Sequence, residues 1–257
     1  ADLYSVSRGG DLWIRYGDGT LRNLTREAGY GEEGLQGANA IAVREPCVHW
    51  SGTKALFSMA IGSPGPGQAE SSRWQLYEIS GLGPLDTPLI TPVPNQPANF
   101  NNVSPVYASD DTILFTSDRP RNGAAHLYPQ LDEYEEAPTV SGIWKLDPQS
   151  GALELLEHSP SGAFSLSVDS FGRVIFTRWD HLQRDQQADG DSTGNGCSGS
   201  TYGTFNYSDE SAGATYNLAN PDRTEVFPEP RTCRDDLLAG TNLSGHSFNQ
   251  FVPWQIN

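Results

Sequence analysis

A phrase that occurs three times constrains this chain more than anything else in it. A short strand segment leads into a turn rich in Ser, Asp or Gly, and an apolar strand carrying Phe follows. The phrase reads PCVHWSGTKALFS at Pro46–Ser58, PVYASDDTILFTS at Pro105–Ser117 and LSVDSFGRVIFT at Leu166–Thr177. Turn residues bounded on both sides by β-formers specify a tight hairpin. Alternating segments accompany each copy, at Asp11–Gly19, Trp74–Ile79 and Ile143–Gly151. Two hairpins supply four antiparallel strands, the content of one propeller blade.

The copies keep a register. Phe57 to Phe115 spans 58 residues (115−57) and Phe115 to Phe176 spans 61 (176−115). A minimal blade needs roughly 40–45, so long loops are inserted. Gly62–Gly67, Pro84–Asn102 and Arg119–Val140 have the Gly- and Pro-rich composition that ends strands. The expected fold is all-β: a β-propeller of four-stranded antiparallel blades with long inserted loops, forming an incomplete segment of a larger propeller. Residues 1–25 are expected to form the outer hairpin of a blade. Blades follow at 41–92, 101–157 and 163–218, the last with a long insertion. Residues 246–257 are expected to start the next blade, because Pro253 falls where Pro46 and Pro105 fall. Phe57, Phe115 and Phe176 are predicted to occupy equivalent core positions on the second strands.

Composition agrees with a turn-rich β protein, with 27 Gly, 18 Pro and one Met in 257 residues. No window sustains the apolar spacing of a helix. The net charge of −16 opposes phosphate backbones and anionic headgroups. No nucleic-acid partner is expected, and no apolar run is long enough for membrane insertion. The chain opens on Ala1 without an initiator Met, so either a leader has been removed or a longer chain precedes it. Cys47 lies in an apolar strand and is expected to be a reduced core thiol. Cys197 and Cys233 lie in segments rich in Gly, Ser, Asn and Pro, where they are candidates for a disulfide with each other.

The signatures HExxH and the P-loop are absent, as are CxxC and CxxCH. No catalytic residue is assigned, and no catalytic activity is expected of this segment alone. The densest polar stretch is Arg178–Asp191, expected to be a loop beyond the strand that ends at Thr177. Asp185, Asp189 and Asp191 surround Gly190 as hard oxygen ligands would in a Ca²⁺ loop. The position for the bidentate Glu is held by Gly196, so a solvated, hydrogen-bonded loop is the competing reading. Asp180 and His181 suit a metal site or an acid/base pair, or else a histidine packed at a blade edge. The acidic run Asp132–Glu136 reads most simply as a solvated loop. Asn23, Asn102, Asn206 and Asn242 begin Asn-x-Ser/Thr triplets, which would be glycosylation acceptors in a eukaryotic secretory protein.

The hairpin phrase resembles the TolB-type, WD40-like propeller repeat. Ser109–Arg121 (SDDTILFTSDRPR), His126–Tyr134 (HLYPQLDEY), the stretch from Ser159 to Asp189 containing TRWDHLQRDQQAD, Tyr202–Tyr207 (YGTFNY) and His246–Asn257 resemble the middle, propeller domain of hydrazine synthase alpha subunit-like proteins. That resemblance implies a periplasmic or extracellular protein with protein partners, multihaem c-type cytochromes among them. With no CxxCH, no haem ligand carries over, and any haem would come from a segment or partner outside this sequence.

Two functions follow as expectations. One is an exported module that binds proteins or a ligand through its loop face. The other is a subunit or fragment of a hydrazine synthase-like redox enzyme, walling a haem or metal site supplied from elsewhere. A Soret band copurifying with the polypeptide would favour the second.

Overall fold

The computed structural model describes residues 10–31, 38–62, 72–119, 142–157, 162–180 and 250–256. The chain is all-β in these residues apart from one helical turn, and its sheets are antiparallel. A two-stranded hairpin, β1 (Trp13–Arg15) with β2 (Leu21–Asn23), comes first, followed by the single turn α1 (Leu24–Glu27). The Asn23 side chain caps that turn by accepting a hydrogen bond from the Arg26 N–H.

Two four-stranded meanders follow. The first contains β3 (Ile41–Val48), β4 (Lys54–Ile61), β5 (Gln75–Ser80) and β6 (Leu89–Pro92), in that spatial order. The second contains β7 (Asn102–Tyr107), β8 (Ile113–Ser117), β9 (Gly142–Leu146) and β10 (Leu153–Glu157). The third sheet comprises β11 (Ala163–Val168), β12 (Val174–Asp180) and β13 (Gln250–Ile256). These are propeller-like blades, each beginning with the repeated hairpin.

The turn of each hairpin depends on one left-handed residue. In the second copy the Asp111 N–H donates to the Ala108 carbonyl and the Ala108 N–H to the Thr112 carbonyl; in the third, Gly172 donates to Asp169 and Asp169 to Arg173. Asp111 (φ 64°) and Gly172 (φ 81°) occupy the left-handed region, as does Gly52 (φ 71°) in the first copy, whose loop is one residue longer. Asp111 is the non-Gly residue among the three, and its short polar side chain tolerates that conformation.

Each inner strand also carries a bulge. The register of β3 on β4 shifts between Arg44 and Cys47, of β7 on β8 between Val103 and Val106, and of β11 on β12 between Phe164 and Ser167. The bulged residues Glu45 (φ 55°), Ser104 (φ 53°) and Ser165 (φ 56°) are left-handed. Pro46 and Pro105 come next, where no ladder donor is required, and Leu166 takes that place in the third copy.

Opposite each bulge is the predicted Phe. Phe57, Phe115 and Phe176 are 0%, 0% and 2% exposed and pair in register with Tyr77, Trp144 and Trp254 on the third strands. The sheets stack face to face. Leu12, Ile14 and Tyr30 of the first hairpin and its flank cover the Phe57 face. Leu56 and Leu76 on the reverse face pack on Tyr107, Phe115 and Trp144. Leu114 and Ile143 pack in turn on Leu166, Val174 and Phe176.

Three expectations need correction. The segment expected to open another blade is instead the third strand of the third sheet, because β13 pairs with β12 from Val174↔Ile256 to Asp180↔Gln250. Trp179 and Asp180, expected in a loop, extend β12 because β13 supplies them with backbone partners. Cys47 is half-buried rather than a full core residue.

Removing the Phe115 ring leaves a cavity between two sheets, since the residue is fully enclosed and belongs to the core shared by the first two blades. Phe115→Ala is expected to lower unfolding free energy by about 3–5 kcal/mol in urea titrations. Unchanged stability would refute the assigned stacking.

Candidate functional site

The inner strands β3, β7 and β11 converge, and the three bulges with the residues after them line one cavity of about 610 Å³. Its walls include Pro46, Cys47, Val48, Val106, Tyr107, Leu166 and Val168, with Trp50, Ser109 and Asp169 from the turn end. Each of these strands is the edge of its sheet, so its outer backbone groups face this space instead of a fourth ladder. Cys47 packs against both inter-sheet cores, which puts its thiol where all three sheets meet.

Both cavity carboxylates are already engaged. Glu45 pairs with Arg44 at 2.8 Å, and its Oε2 accepts the Ser104 N–H at 2.7 Å. One side chain thus ties the first bulge to the second. Asp169 accepts N–H groups from Phe171 (2.9 Å) and Arg173 (3.0 Å), and the Arg173 Nε at 2.7 Å. Burial works to raise its pKa, but these donors outweigh it and hold the carboxyl below its ordinary value. Ser104 differs: it is 3% exposed, and its Oγ is buried without a hydrogen-bond partner.

Behind the cavity Tyr107 donates to Glu78 at 2.9 Å, and Lys54 pairs with the same carboxylate at 2.8 Å. Burial, and then the Glu78 charge, push the Tyr107 phenol far above its ordinary pKa. It stays protonated at any working pH and cannot act as a base.

At the rim, His49 joins two turns. Its Nε2 is 2.9 Å from Asp111 Oδ1 and its Nδ1 is 2.8 Å from Ser51 Oγ, while its ring lies 3.9 Å from Trp50 and 4.7 Å from Tyr107. The Ser–His–Asp order invites comparison with a nucleophile and its base. The surrounding amides argue otherwise: Ser51 N–H donates to His49 Nδ1, Gly52 N–H to the His49 carbonyl and Thr53 N–H to Ser51 Oγ. The turn has spent the donors that would bind an oxyanion, so the set acts as a clasp between the first and second blades. Sequence reasoning passed over His49; the signal was a His and a Ser two residues apart, His49 and Ser51, in a turn shared by the repeats.

The sequence-derived candidates are placed as follows. Asp180 ends β12 opposite Gln250. His181, Asp185, Asp189, Asp191, Cys197 and Cys233 lie outside the described residues, as do Asn206 and Asn242. Among the described residues, no group of three His, Cys, Asp or Glu side chains is arranged to hold a metal. Asn102 is fully buried and donates to Gln96 and the Pro97 carbonyl, so the folded chain does not present it for glycosylation.

No protein-family model matches this chain, and no curated protein does. Among solved structures, a hydrazine synthase of Kuenenia stuttgartiensis is similar over 69% of this chain, with a TM-score of 0.42 and 14% sequence identity. The match spans 24% of that protein's chain.

The second turn carries its own acid-sensitive tie. Hydrogen bonding to Lys145, then to Thr112, holds the Asp110 carboxyl at about 2, below its ordinary 3.8. A depressed carboxylate contributes stability above the unfolded value and loses it as pH falls toward the folded one. Asp110→Asn is therefore expected to flatten the fall of melting temperature between pH 4 and pH 2. The effect should be modest, because the pair is solvent-exposed. An unchanged acid limb would show that this pair contributes nothing.

Proposed function

We propose that this chain is a binding module, which holds a ligand against the inner strands of its propeller-like sheets and carries no catalytic machinery of its own. One observation supports this above the others: a cavity of about 610 Å³ is lined from three blades at once. That volume is in the range of small-molecule sites, which are concave, mainly apolar and furnished with a few polar groups. The aromatic and aliphatic walls provide area, while the bulged strand edges offer polar groups. The extracytoplasmic location and cytochrome partners rest on sequence resemblance alone and belong to the same proposal.

A protein partner is the second reading, favoured by the exposed turn residues Trp50 and Phe171, 61% and 82% accessible. Exposed aromatic side chains are frequent anchors of interfaces. The two readings differ in which residues they require.

Cys47 reports directly on the cavity. A ligand seated against it is expected to slow alkylation by N-ethylmaleimide, followed through the mass of the Cys47-containing peptide. Screening a fragment set of mixed charge supplies the candidates. If no fragment protects Cys47, and none shifts the amide signals of Val106 or Ser167, the ligand-binding reading fails. A Trp50→Ser/Phe171→Ser chain that loses association with a copurifying protein would then favour the second reading.

A further inference from the structure

Backbone at the strand edges is the unused chemistry of the cavity. In an antiparallel ladder, residues alternate between bonding their partner and turning both N–H and C=O away from it. The His49, Ala108 and Asp169 N–H groups donate across their ladders to the Lys54, Thr112 and Arg173 carbonyls. The residues before them, Val48, Tyr107 and Val168, pair in register with Ala55, Ile113 and Val174. Their own N–H and C=O groups therefore turn outward, and β3, β7 and β11 are terminal strands of their sheets. All three residues line the cavity. An open edge of this kind is a template for one more strand.

The three edges differ in access. β7 is buried from Ser104 to Tyr107 and leaves no room for a neighbour. β3 is exposed at Pro46 and Val48, but the Pro46 ring occupies the edge there and supplies no donor. β11 has neither obstacle. Leu166 stands where the other copies carry proline, Ser165 and Ser167 are exposed, and Val168 is half-buried. The cavity is lined by β11 from Ser165 to its end at Val168.

Wall chemistry limits what can lie along that edge. Glu45 and Asp169 each already hold a guanidinium and at least one backbone N–H, so a charged group entering the cavity would lose water without gaining a free counter-charge. Facing β11, Pro46, Val48 and Val106 offer apolar surface. Main-chain pairing supplies affinity without any side-chain charge, and the walls receive the added strand's side chains.

We infer that the edge of β11 binds an extended, uncharged peptide segment of a partner polypeptide, which adds a strand beside β11 inside the cavity. This rests on the binding-module reading and adds the class of the occupant. The Val168 N–H and C=O make the central hydrogen bonds to the segment, and its apolar side chains rest on the walls contributed by β3 and β7.

The probe is acetyl-Thr-Val-Thr amide, titrated into the full chain and followed by amide hydrogen exchange and Cys47 alkylation. In the free chain the Val168 amide is expected to exchange rapidly, while the Asp169 amide is held by the Arg173 carbonyl. Saturation with the peptide should slow Val168 exchange by about tenfold or more and protect Cys47. Methylating the central nitrogen of the peptide removes one donor and should weaken binding about fivefold. Leu166→Pro installs the residue that blunts β3 at the matching place and should abolish binding, whereas Leu166→Ala, which keeps the N–H, should retain it. If Leu166→Pro melts early, Val168→Pro against Val168→Ala provides the same comparison, because the outward N–H has no ladder duty. Equal binding by the proline and alanine variants would show that the peptide lies elsewhere. A Val168 amide already protected in the free chain would also overturn the inference: the edge is then filled by the chain's own residues, or by a second copy if protection grows with protein concentration. Peptides with Glu or Lys in place of the valine should bind no tighter, and a charged version that binds about tenfold tighter would overturn the uncharged class. If the peptide leaves Val168 unchanged while small fragments protect Cys47, strand addition fails and the binding module stands. Failure of the peptide and of every fragment would end both.

Discussion

The left-handed bulge opposite a buried Phe is the constraint on which the rest of this structure depends. Two residues on the inner strand face one on its partner, so the inner strand kinks and twists more strongly than a regular ladder allows. Glu45, Ser104 and Ser165 absorb that kink at a conformation that disfavours a Cβ. The strain is held by what surrounds it: Phe57, Phe115 and Phe176 are buried directly across the ladder, and Glu45 bonds the next bulge through the Ser104 amide. Bent in this way, three inner strands approach one another closely enough to enclose a cavity.

Stacking then distributes stability along the chain. Each of the first two blades is apolar on both faces: one carries the Phe and its aromatic partner, the other carries Leu56 with Leu76, or Leu114 with Ile143. A sheet of this kind cannot be left alone in water, and each is completed by its neighbour, as in other repeat architectures. The inter-blade bonds follow the same order. His49 reaches Asp111 at the turn end, and Thr116 Oγ1 donates to the Ala163 carbonyl at 2.8 Å in the core. Cys47 contacts both inter-sheet cores, so chemistry at its thiol senses the packing of both interfaces.

Much of this was legible in the sequence, because hairpins declare themselves through local chemistry. The turn residues Gly52, Asp111 and Gly172 adopt the positive φ for which such residues are used, and the three Phe positions are equivalent as their spacing requires. The bulges were not legible. Glu and Ser carry no left-handed signature, and a bulge is decided by tertiary convergence rather than by local preference. Pro253 misled for a related reason. Proline marks a position where the ladder needs no donor, and that describes a bulge on an inner strand as well as a place in β13. The residue reports a missing N–H without saying which strand lacks it. His49 escaped notice because its partner, Asp111, is 62 residues away and meets it only when two turns are stacked.

The chain as a whole is strongly negative while the cavity carboxylates are paired, and the difference has a physical origin. A net charge of −16 gives the exterior a field that draws cations toward the surface and is screened over about 8–10 Å at physiological salt. Inside the cavity the same carboxylate chemistry is cancelled at hydrogen-bond distance by Arg44 and Arg173, so the long-range field does not extend into a local binding force. An ion attracted to the rim would have to shed its water to enter walls that offer it no free partner, and desolvation outweighs a screened surface attraction.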